Sequence, residues 1–468
     1  MTAPASPVLD SGFVARALGE RLRGRGGSDR TFERAIIDSR AARAGDLFVA
    51  LPGDRTDGHL YAAAAVEAGA TGCLLGRIVD ETEEAARFYV DDPLDALQRI
   101  AAAWRDALPE LHVVGVTGNV GKTTTKLITA RLLAARYRVQ ASEHNYNNEI
   151  GVPLCLLELR PDTERAVIEL GMYTTGEIAQ LCEWARPRTG IVLNVGPVHL
   201  ERAGSIEAIV RAKQELVEAL PADGHAILNA DDERVRGMAE HTAAEVTLFG
   251  TSEDAEIRGT DVESAGTDGF SFTLRALGEE RRLRVPLPGG HLLSNVLAGI
   301  GAALAEGMTL DEVCGAVEAL AIPLRLTVSE LPGGITLLDD TYNANPASMR
   351  AALDLLAEVP GRHVALLGDM LELGSETEAA HRSIGERAAE EVDLLLTIGE
   401  LGARIGEVAR AAGAESVHLR TKEEAVAALS ERLRPGDVVL IKASNALHLE
   451  TVVRDLRIAL TEGREARP

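Results

Sequence analysis

The sequence predicts an α/β protein with three domains. Its 468 residues are more than one domain of ~100–200 residues usually holds. Short apolar runs typical of strands alternate with longer segments typical of helices, which is the pattern of parallel sheets with crossover helices. Hydrophobic residues make up 46% of the chain, enough to fill several cores and to exclude disorder of the whole chain.

The alternation changes character twice, and these changes set the predicted domain boundaries. Residues 1–91 form a small α/β unit that ends before the helical segment DALQRIAAAWRDAL (95–108). Residues 92–321 contain the apolar runs LHVVGVTG, RAVIELG, TGIVLNVG and HAILNADD, and their segment 251–288 is typical of a small antiparallel insertion. Residues 322–468 repeat the alternation with ITLLDD, HVALLGDM, LLLTIG and DVVLIKAS, which predicts a Rossmann-like unit.

The charge and the cysteines narrow the class of protein. Lys and Arg number 48 against 72 Asp and Glu, and this excess of negative charge disfavours sequence-independent binding of nucleic acid. No apolar run approaches the ~18 residues of a membrane span, and the first residues lack the basic start and apolar core of a secretory signal. Four scattered cysteines without a CxxC fit a reducing compartment. We therefore expect a cytoplasmic enzyme without membrane insertion.

Polar residues follow several predicted strands. Ligands bind beyond the carboxyl ends of the strands in open parallel sheets. Because these polar residues come from two predicted domains, the sequence predicts a cleft between two sheet edges. They are Glu169, Asn194, His199, Asp339, Asp340, Asp369 and Lys442.

The segment VVGVTGNVGKTTTK (113–126) predicts a phosphate-binding loop between a strand and a helix. Backbone N–H groups of residues 118–123 can surround phosphates at the helix N-terminus, Lys122 can reach the β- and γ-phosphates, and the Thr123 hydroxyl can bind Mg²⁺. Val116 replaces the first glycine of the strict GxxxxGK[ST] pattern, but GNVGKTTT is intact. The predicted nucleotide-binding residues are Gly118, Asn119, Val120, Gly121, Lys122, Thr123 and Thr124.

Lysine is rare in this chain, where only five of the 48 basic residues are Lys. Arg does not replace Lys where a compact, modifiable amine is needed. This rarity argues against an incidental lysine in a glycine-rich turn at residue 122, and it draws attention to the other four. The lysines are Lys122, Lys126, Lys213, Lys422 and Lys442.

Seven segments together resemble the Mur ligase family. They are GNVGKTTTK, HNYNNEIGVPL, VIELGM, NVGPVHLE, RAKQEL, HLLSN and DDTYNANPASM, and the match runs from near residue 37 to near residue 442. The resemblance implies an N-terminal domain that binds a UDP-linked substrate, a central ATPase domain and a C-terminal Rossmann-like domain. It also implies ATP and Mg²⁺ as cofactors, and a monomer.

Two of these segments, NYNNEIGVP and DDTYNANP, resemble one branch of the family most closely. The implied reaction joins D-alanyl-D-alanine to UDP-N-acetylmuramoyl-tripeptide through an acyl phosphate, during synthesis of the peptidoglycan precursor. A related Mur ligase that adds a single amino acid remains an alternative. A protein that hydrolyses ATP as a switch, without ligation, is another, and a degenerate scaffold is disfavoured by the intact phosphate loop.

The resemblance also implies roles for individual residues. Lys213 in RAKQEL resembles the lysine that the family carbamylates, and Arg40 in DSR matches a residue near the UDP end of the substrate. The implied catalytic residues are Lys122, Glu169, His199 and Lys213. The implied metal ligands are Thr123, Glu169, His199 and carbamylated Lys213. The implied nucleotide contacts beyond the loop are His291, Asn295, Arg325 and Asp340. The implied substrate contacts are Asp38, Ser39, Arg40, Asn145, Asn147, Asn148, Tyr342, Asn343, Asn345 and Lys442.

The chain departs from the family pattern at two places. The family commonly has K-G-S-R where this chain has Lys442-Ala443-Ser444-Asn445, and it often has Gly where this chain has Leu324. Because neither change touches the phosphate loop, they bear on substrate identity more than on the class of reaction.

Overall fold

Three sheets organise the chain. The computed structural model describes residues 6–53, 56–142, 145–196 and 204–465. Within these ranges, separate stretches of chain form sheets of five, nine and six strands, which confirms the predicted α/β class. The predicted domain boundaries fall between the sheets and stay a prediction. No described helix has the length and apolar character needed to cross a membrane.

The first sheet is parallel except for one edge strand. Its strands are β1 (Gly24–Gly26), β2 (Arg34–Ile36), β3 (Asp46–Val49), β4 (Gly72–Leu75) and β5 (Ala86–Tyr89), with helices α1 (Ser11–Leu18) and α2 (Ala62–Glu67). The strand order is β1-β5-β4-β3-β2, and only β1 is antiparallel to its neighbour.

A long helix, α3 (Pro93–Asp106), leads from the first sheet to the second. Its start follows from the sequence, because the Asp92 side chain accepts the N–H of Leu94 at 2.8 Å. Pro93 occupies the first helical position, where an N–H would have no partner within the helix. The indole of Trp104 is buried and donates to the carbonyl of Leu159 at 2.9 Å. This contact fixes α3 on the central domain.

The central sheet has nine strands. They are β6 (His112–Thr117), β7 (Val139–Ala141), β8 (Arg165–Glu169), β9 (Thr189–Val192), β10 (His225–Asn229), β11 (Glu245–Gly250), β12 (Ile257–Ser264), β13 (Phe270–Ala276) and β14 (Glu279–Val285). The order is β14-β13-β12-β11-β10-β9-β6-β8-β7. Only β12, β13 and β14 pair antiparallel, so the predicted insertion extends one edge of the parallel sheet.

Helices cover both faces of the central sheet. They are α4 (Lys122–Leu133), α5 (Gly151–Leu157), α6 (Glu177–Ala185), α7 (Ile206–Glu218), α8 (Glu233–Arg236), α9 (Leu293–Ala305) and α10 (Leu310–Glu318). Neighbouring residues of β6 enter different cores, since Val113 packs in the core of Leu97 whereas Val114 packs in that of Ile128. Burial on both faces explains why the parallel strands are continuous apolar runs.

Glu306, directly after α9, joins the amino ends of three central strands. Its carboxylate lies 2.5 Å from Nε of Arg165 on β8 and 3.0 Å from Nδ1 of His112 on β6, and it accepts the hydroxyl of Thr189 on β9 at 2.7 Å. The Arg165 guanidinium also lies 4.0 Å from the centre of the Tyr137 ring. These contacts hold the sheet together at the edge opposite the phosphate loop.

The third sheet contains the four apolar runs predicted from the sequence. Its strands are β15 (Thr327–Leu331), β16 (Ile335–Asp340), β17 (Arg362–Leu367), β18 (Leu394–Ile398), β19 (Ser416–Leu419) and β20 (Asp437–Lys442), with helices α11 (Pro346–Glu358), α12 (Thr377–Glu391), α13 (Gly402–Ala411), α14 (Lys422–Arg432) and α15 (Glu450–Glu465). The order is β15-β16-β20-β17-β18-β19, and only β15 is antiparallel. Asp340 and Lys442 are register partners at adjacent strand ends.

In the segment HLLSN, the spacing of four residues between His291 and Asn295 predicts one helical face, and the structure differs from this prediction. His291 lies in a 3₁₀ turn, and α9 begins at Leu293, so only Asn295 is in the α-helix. Gly289, directly before this turn, has a φ of 97°, so the helical backbone begins only after it.

Candidate active site

A cavity of about 1390 Å³ lies between the carboxyl ends of the central and third sheets. The predicted cleft is therefore present, and Glu169, Asn194, Asp340 and Lys442 line it. Asp369 does not, because its carboxylate accepts the N–H of Gly402 at 2.7 Å at the start of α13. Asp339 is also outside the lining: it accepts the N–H and hydroxyl of Thr341 at 3.2 and 2.8 Å. His199 lies outside the described residues.

The phosphate loop forms one wall of the cavity. Nζ of Lys122 folds back to the carbonyl of Gly118 at 2.9 Å, and burial lowers the pKa of this ammonium while the charge of Glu169 raises it. Gly121 has a φ of 87°, and a Cβ there would lie 2.5 Å from Nδ2 of Asn295. Glycine is therefore required both by the backbone and by the close approach of α9.

Asn194 clamps the loop from the end of β9. Its Oδ1 accepts the N–H groups of Asn119 and Val120 at 3.0 and 2.9 Å, and its Nδ2 donates to the carbonyl of Val120 at 3.0 Å. These two N–H groups are thus engaged by the side chain. The N–H groups of Gly121, Lys122 and Thr123 lie at the start of α4, where a helix leaves donors unpaired and can accept an anion.

The sequence predicts Asn194 in the cleft, at a strand end, but assigns it no role. Asparagine is scarce in this chain, with ten residues in all, and that scarcity was the available signal. Its role in the loop depends on the spacing between β9 and the loop, which the sequence does not show.

Glu169 joins the phosphate loop to the asparagine-rich segment. Its buried carboxylate accepts the Thr123 hydroxyl at 2.8 Å through Oε2 and the Asn147 amide at 2.8 Å through Oε1. Arg325, from the third domain, donates to the same Thr123 hydroxyl at 2.7 Å. A hydroxyl and a carboxylate side by side are hard oxygen donors of the kind that Mg²⁺ prefers. The described residues contain no group of three or more His, Cys, Asp or Glu arranged to hold a metal.

Lys213 lies on α7 with its side chain 2% exposed, and it lines the cavity. Burial lowers its pKa well below the ordinary value, and the charge of Lys122 lowers it further. Among the described residues no carboxylate pairs with this lysine. Burial and the neighbouring cation thus both act against the charged form of this amine.

The third domain supplies the opposite wall. The Arg325 guanidinium lies 4.0 Å from the centre of the Tyr342 ring. Nζ of Lys442 lies 2.5 Å from Oδ2 of Asp340 and donates to the carbonyl of Asn343 at 2.7 Å. Asn445, which stands where the family commonly has Arg, donates through Nδ2 to the carbonyl of Tyr342 at 3.0 Å. These bonds hold the 340–345 loop in one shape.

Three predicted amide side chains have structural partners. Asn345 caps α11 by accepting the N–H of Ser348 at 2.9 Å, and Asn148 accepts the N–H of Gly151, the first residue of α5, at 2.9 Å. Asn295 donates to the hydroxyl of Thr125 at 2.8 Å. All three also line the cavity, as do Asn145 and His291. Burial lowers the pKa of the His291 imidazole.

The residues predicted near the UDP end of the substrate are not part of this cavity. Asp38 caps a 3₁₀ turn that contains Ser39, and it pairs with Arg40 at 2.6 Å. The Arg40 side chain is 88% exposed. The structure therefore places this group on the surface of the first domain, away from the other predicted residues.

Family models match most of the chain in three parts. Residues 34–105 match the "Mur ligase family, catalytic domain", residues 116–303 match the "Mur ligase middle domain", and residues 324–445 match the "Mur ligase, glutamate ligase domain". The chain belongs to the Mur ligase family.

Curated relatives of this Mur ligase match over nearly its whole length. UDP-N-acetylmuramoyl-tripeptide–D-alanyl-D-alanine ligase of Bacillus subtilis is 35% identical, over 91% of this chain and 94% of the relative. The enzyme of that name from Escherichia coli is 36% identical, over 92% and 95%.

Solved structures show the same architecture. MurF from Acinetobacter baumannii has a TM-score of 0.85 and 30% identity, covering 97% of this Mur ligase and all of that chain. MurF from Thermotoga maritima, solved in complex with ADP, has a TM-score of 0.79 and 29% identity, covering 92% and 98%. The predicted three-domain fold is confirmed.

The clamp on the phosphate loop predicts the effect of Asn194→Ala. The change removes three hydrogen bonds of about 1 kcal/mol each, so we expect the dissociation constant for ADP to rise about tenfold or more. Isothermal titration calorimetry measures it.

The matched control is Asn229→Ala at the end of the next strand. Asn229 donates to the carbonyl of Leu193 at 2.8 Å but does not line the cavity, so this change should lower the melting temperature and leave ADP affinity alone. Equal losses of ADP affinity in both variants would contradict the role of Asn194.

Proposed function

We propose that this Mur ligase joins D-alanyl-D-alanine to UDP-N-acetylmuramoyl-tripeptide, with ATP converted to ADP and phosphate. The observation that carries the proposal is the meeting in one cavity of a phosphate loop, the Glu169–Thr123 oxygen pair and a third-domain wall rich in amides. The names of the relatives, at 35–36% identity over more than nine-tenths of the chain, support the substrates.

The chemistry begins with the carboxylate at the end of the tripeptide. Direct amide formation in water would require departure of a hydroxide-like group, so the carboxylate oxygen first attacks the γ-phosphorus of ATP and ADP leaves. The dipeptide amine then attacks the acyl carbon, the bond from that carbon to the bridging oxygen breaks, and phosphate leaves with that oxygen. The amine loses its proton to solvent or to a base in the cleft.

The residues of this chain bind and orient the reactants. The first turn of α4 and Lys122 hold the phosphates, which places the γ-phosphorus beside Glu169. Arg325 adds positive charge from the third domain near the same phosphates. The loop fixed by Lys442 and Asn445 closes the cavity from the other side and excludes water that would hydrolyse an acyl phosphate.

Thr123 and Glu169 fit Mg²⁺ because they bring a hydroxyl and a carboxylate together at the phosphate loop. We propose that they hold the ion with His199 and a modified Lys213. Bound there, Mg²⁺ would screen the phosphate charge from the anionic carboxylate. His291 and Asn295 are proposed to contact the base, and Asp38, Ser39 and Arg40 the UDP end of the substrate.

Carbamylation of Lys213 is part of this proposal. The neutral amine attacks CO₂, forms a C–N bond and loses a proton, and a lysine becomes an anion with two oxygens. Burial and the charge of Lys122 both lower the pKa of this amine. The neighbouring cation that disfavours an ammonium also favours a carbamate anion.

ATP and UDP-linked substrates are cytoplasmic metabolites, so we also propose that this enzyme is cytoplasmic. Action as a monomer stays a prediction.

Asn445 stands where the family commonly has Arg, and its side chain donates to the carbonyl of Tyr342. We propose that Asn445 supports the loop at 340–345 and does not supply a cation for the substrate.

Release of phosphate tests the function. With ATP, Mg²⁺ and UDP-N-acetylmuramoyl-tripeptide, we expect release only when D-alanyl-D-alanine is added, and none with single D- or L-amino acids. Release with one amino acid would assign the chain to another step of the same pathway. Release without any acceptor would favour an ATP-hydrolysing switch and overturn the proposal.

Substitution of Lys213 tests the carbamate. We expect Lys213→Ala to lower kcat by about 100-fold, because a metal bridge is lost, and we expect acetate or formate to restore part of it by supplying a carboxylate. Steady-state kinetics with and without the acid measure this. Lys422→Ala, at a partly exposed lysine that does not line the cavity, is the control. Loss of activity without rescue would count against carbamylation.

A further inference from the structure

Lys126 is a buried lysine whose role the sequence leaves open. It follows Lys122 by one helical turn on α4, but it is not among the residues that line the cavity. Only 1% of the residue is exposed, and Nζ donates to the carbonyl of Ser142 at 2.6 Å. Burial of an ammonium is costly, and this chain uses Arg for most of its cations, so a lysine here requires a reason.

Ser142 is the point where β7 leaves the central sheet. Its N–H donates to the carbonyl of Val167 at 3.0 Å, and its hydroxyl accepts the N–H of Glu169 at 3.4 Å. Its carbonyl, in a residue 6% exposed, needs a donor because a buried carbonyl without a partner is unstable. Lys126 supplies that donor and ties the end of β7 to α4.

The chain beyond Ser142 leads to the segment that holds Glu169. There Asn147 donates to Oε1 of Glu169 at 2.8 Å and accepts the N–H of Gly171 at 2.8 Å through its carbonyl. On the other side Thr123, from α4, donates to Oε2. The helix α4 thus holds Glu169 directly through Thr123, and through Lys126 it holds Ser142 at the end of β7, five residues before Asn147.

The positive charge of Lys126 also attracts the Glu169 carboxylate. Burial lowers the pKa of this ammonium, and attraction to the carboxylate of Glu169 is the largest effect that raises it. An ammonium is a compact charge, whereas the guanidinium of Arg is larger and planar, so the two are not interchangeable at a buried position.

We propose that Lys126 is a positioning residue, which fixes the end of β7 on α4 and so holds Asn147 in place to orient the Glu169 carboxylate toward the divalent cation. The inference rests on the proposed function insofar as Glu169 binds that cation. Side chains that orient a metal ligand in this way usually affect metal affinity by about 10- to 100-fold when they are replaced.

The test compares wild type with Lys126→Met, which keeps an unbranched chain and removes the charge and the donors. The readout is the metal enhancement, defined as the ratio of the ADP dissociation constants without and with Mn²⁺. We expect Lys126→Met to lower this ratio about 10- to 100-fold while ADP binding without metal stays at the wild-type value. Glu169→Gln should lower it as well.

The matched control is Arg131→Met on the exposed side of the same helix, which should leave the ratio unchanged. A merely structural role for Lys126 would lower the melting temperature and leave the ratio of the folded protein unchanged, and that result overturns the proposal. If Lys126→Met does not fold, Lys126→Leu, which also removes the donor to the Ser142 carbonyl, serves with the same readout and the same criterion.

A double-mutant cycle tests the route through the loop. If Lys126 acts through Asn147, then Lys126→Met should have little further effect on the ratio in a protein that already carries Asn147→Ala. Independent, multiplying effects overturn this route. Acceptor-dependent phosphate release by wild type is measured separately, so the proposed ligase reaction can fail while the metal enhancement still decides the role of Lys126.

Discussion

The Glu169 carboxylate is the point on which the rest of the site depends. It lies at the carboxyl end of β8, and its two oxygens take donors from two different segments, Thr123 on α4 and Asn147 beyond β7. A buried carboxylate is stable only when such donors satisfy it. The need to satisfy it therefore fixes the phosphate loop, the asparagine-rich segment and the central sheet relative to one another.

The third domain contacts the central domain through polar side chains. Arg325 reaches the Thr123 hydroxyl at 2.7 Å, and Glu358 of α11 accepts the hydroxyl of Ser264 on β12 at 2.6 Å. The loop at 340–345 is shaped from within its own domain by Lys442 and Asn445. Each of these two walls of the cavity thus takes its shape mainly from its own domain, which suits a cleft that must admit substrates and exclude water during the reaction.

The sequence predicts much of this arrangement, and the failures have physical reasons. The parallel strands can be recognised as apolar runs because both faces of each strand are buried. The phosphate loop can be recognised because phosphate binding needs Gly and Lys at set positions. Asn194 and Lys126 act through partners 74 and 16 residues away, and no local pattern encodes such pairs. The spacing of His291 and Asn295 predicts one α-helix, but His291 lies in a 3₁₀ turn directly before α9, and a spacing of four residues does not distinguish the two. The surface position of Arg40, apart from the cavity, is likewise a property of how the domains are arranged.

The central claim is that this cavity activates a carboxylate by phosphorylation. The most direct measurement labels both oxygens of the terminal carboxylate of UDP-N-acetylmuramoyl-tripeptide with ¹⁸O and determines the isotopic composition of the phosphate released in the presence of D-alanyl-D-alanine. Because phosphate leaves with the bridging oxygen, the account predicts one ¹⁸O in each phosphate formed. Phosphate without ¹⁸O, formed at the rate of ligation, would contradict it.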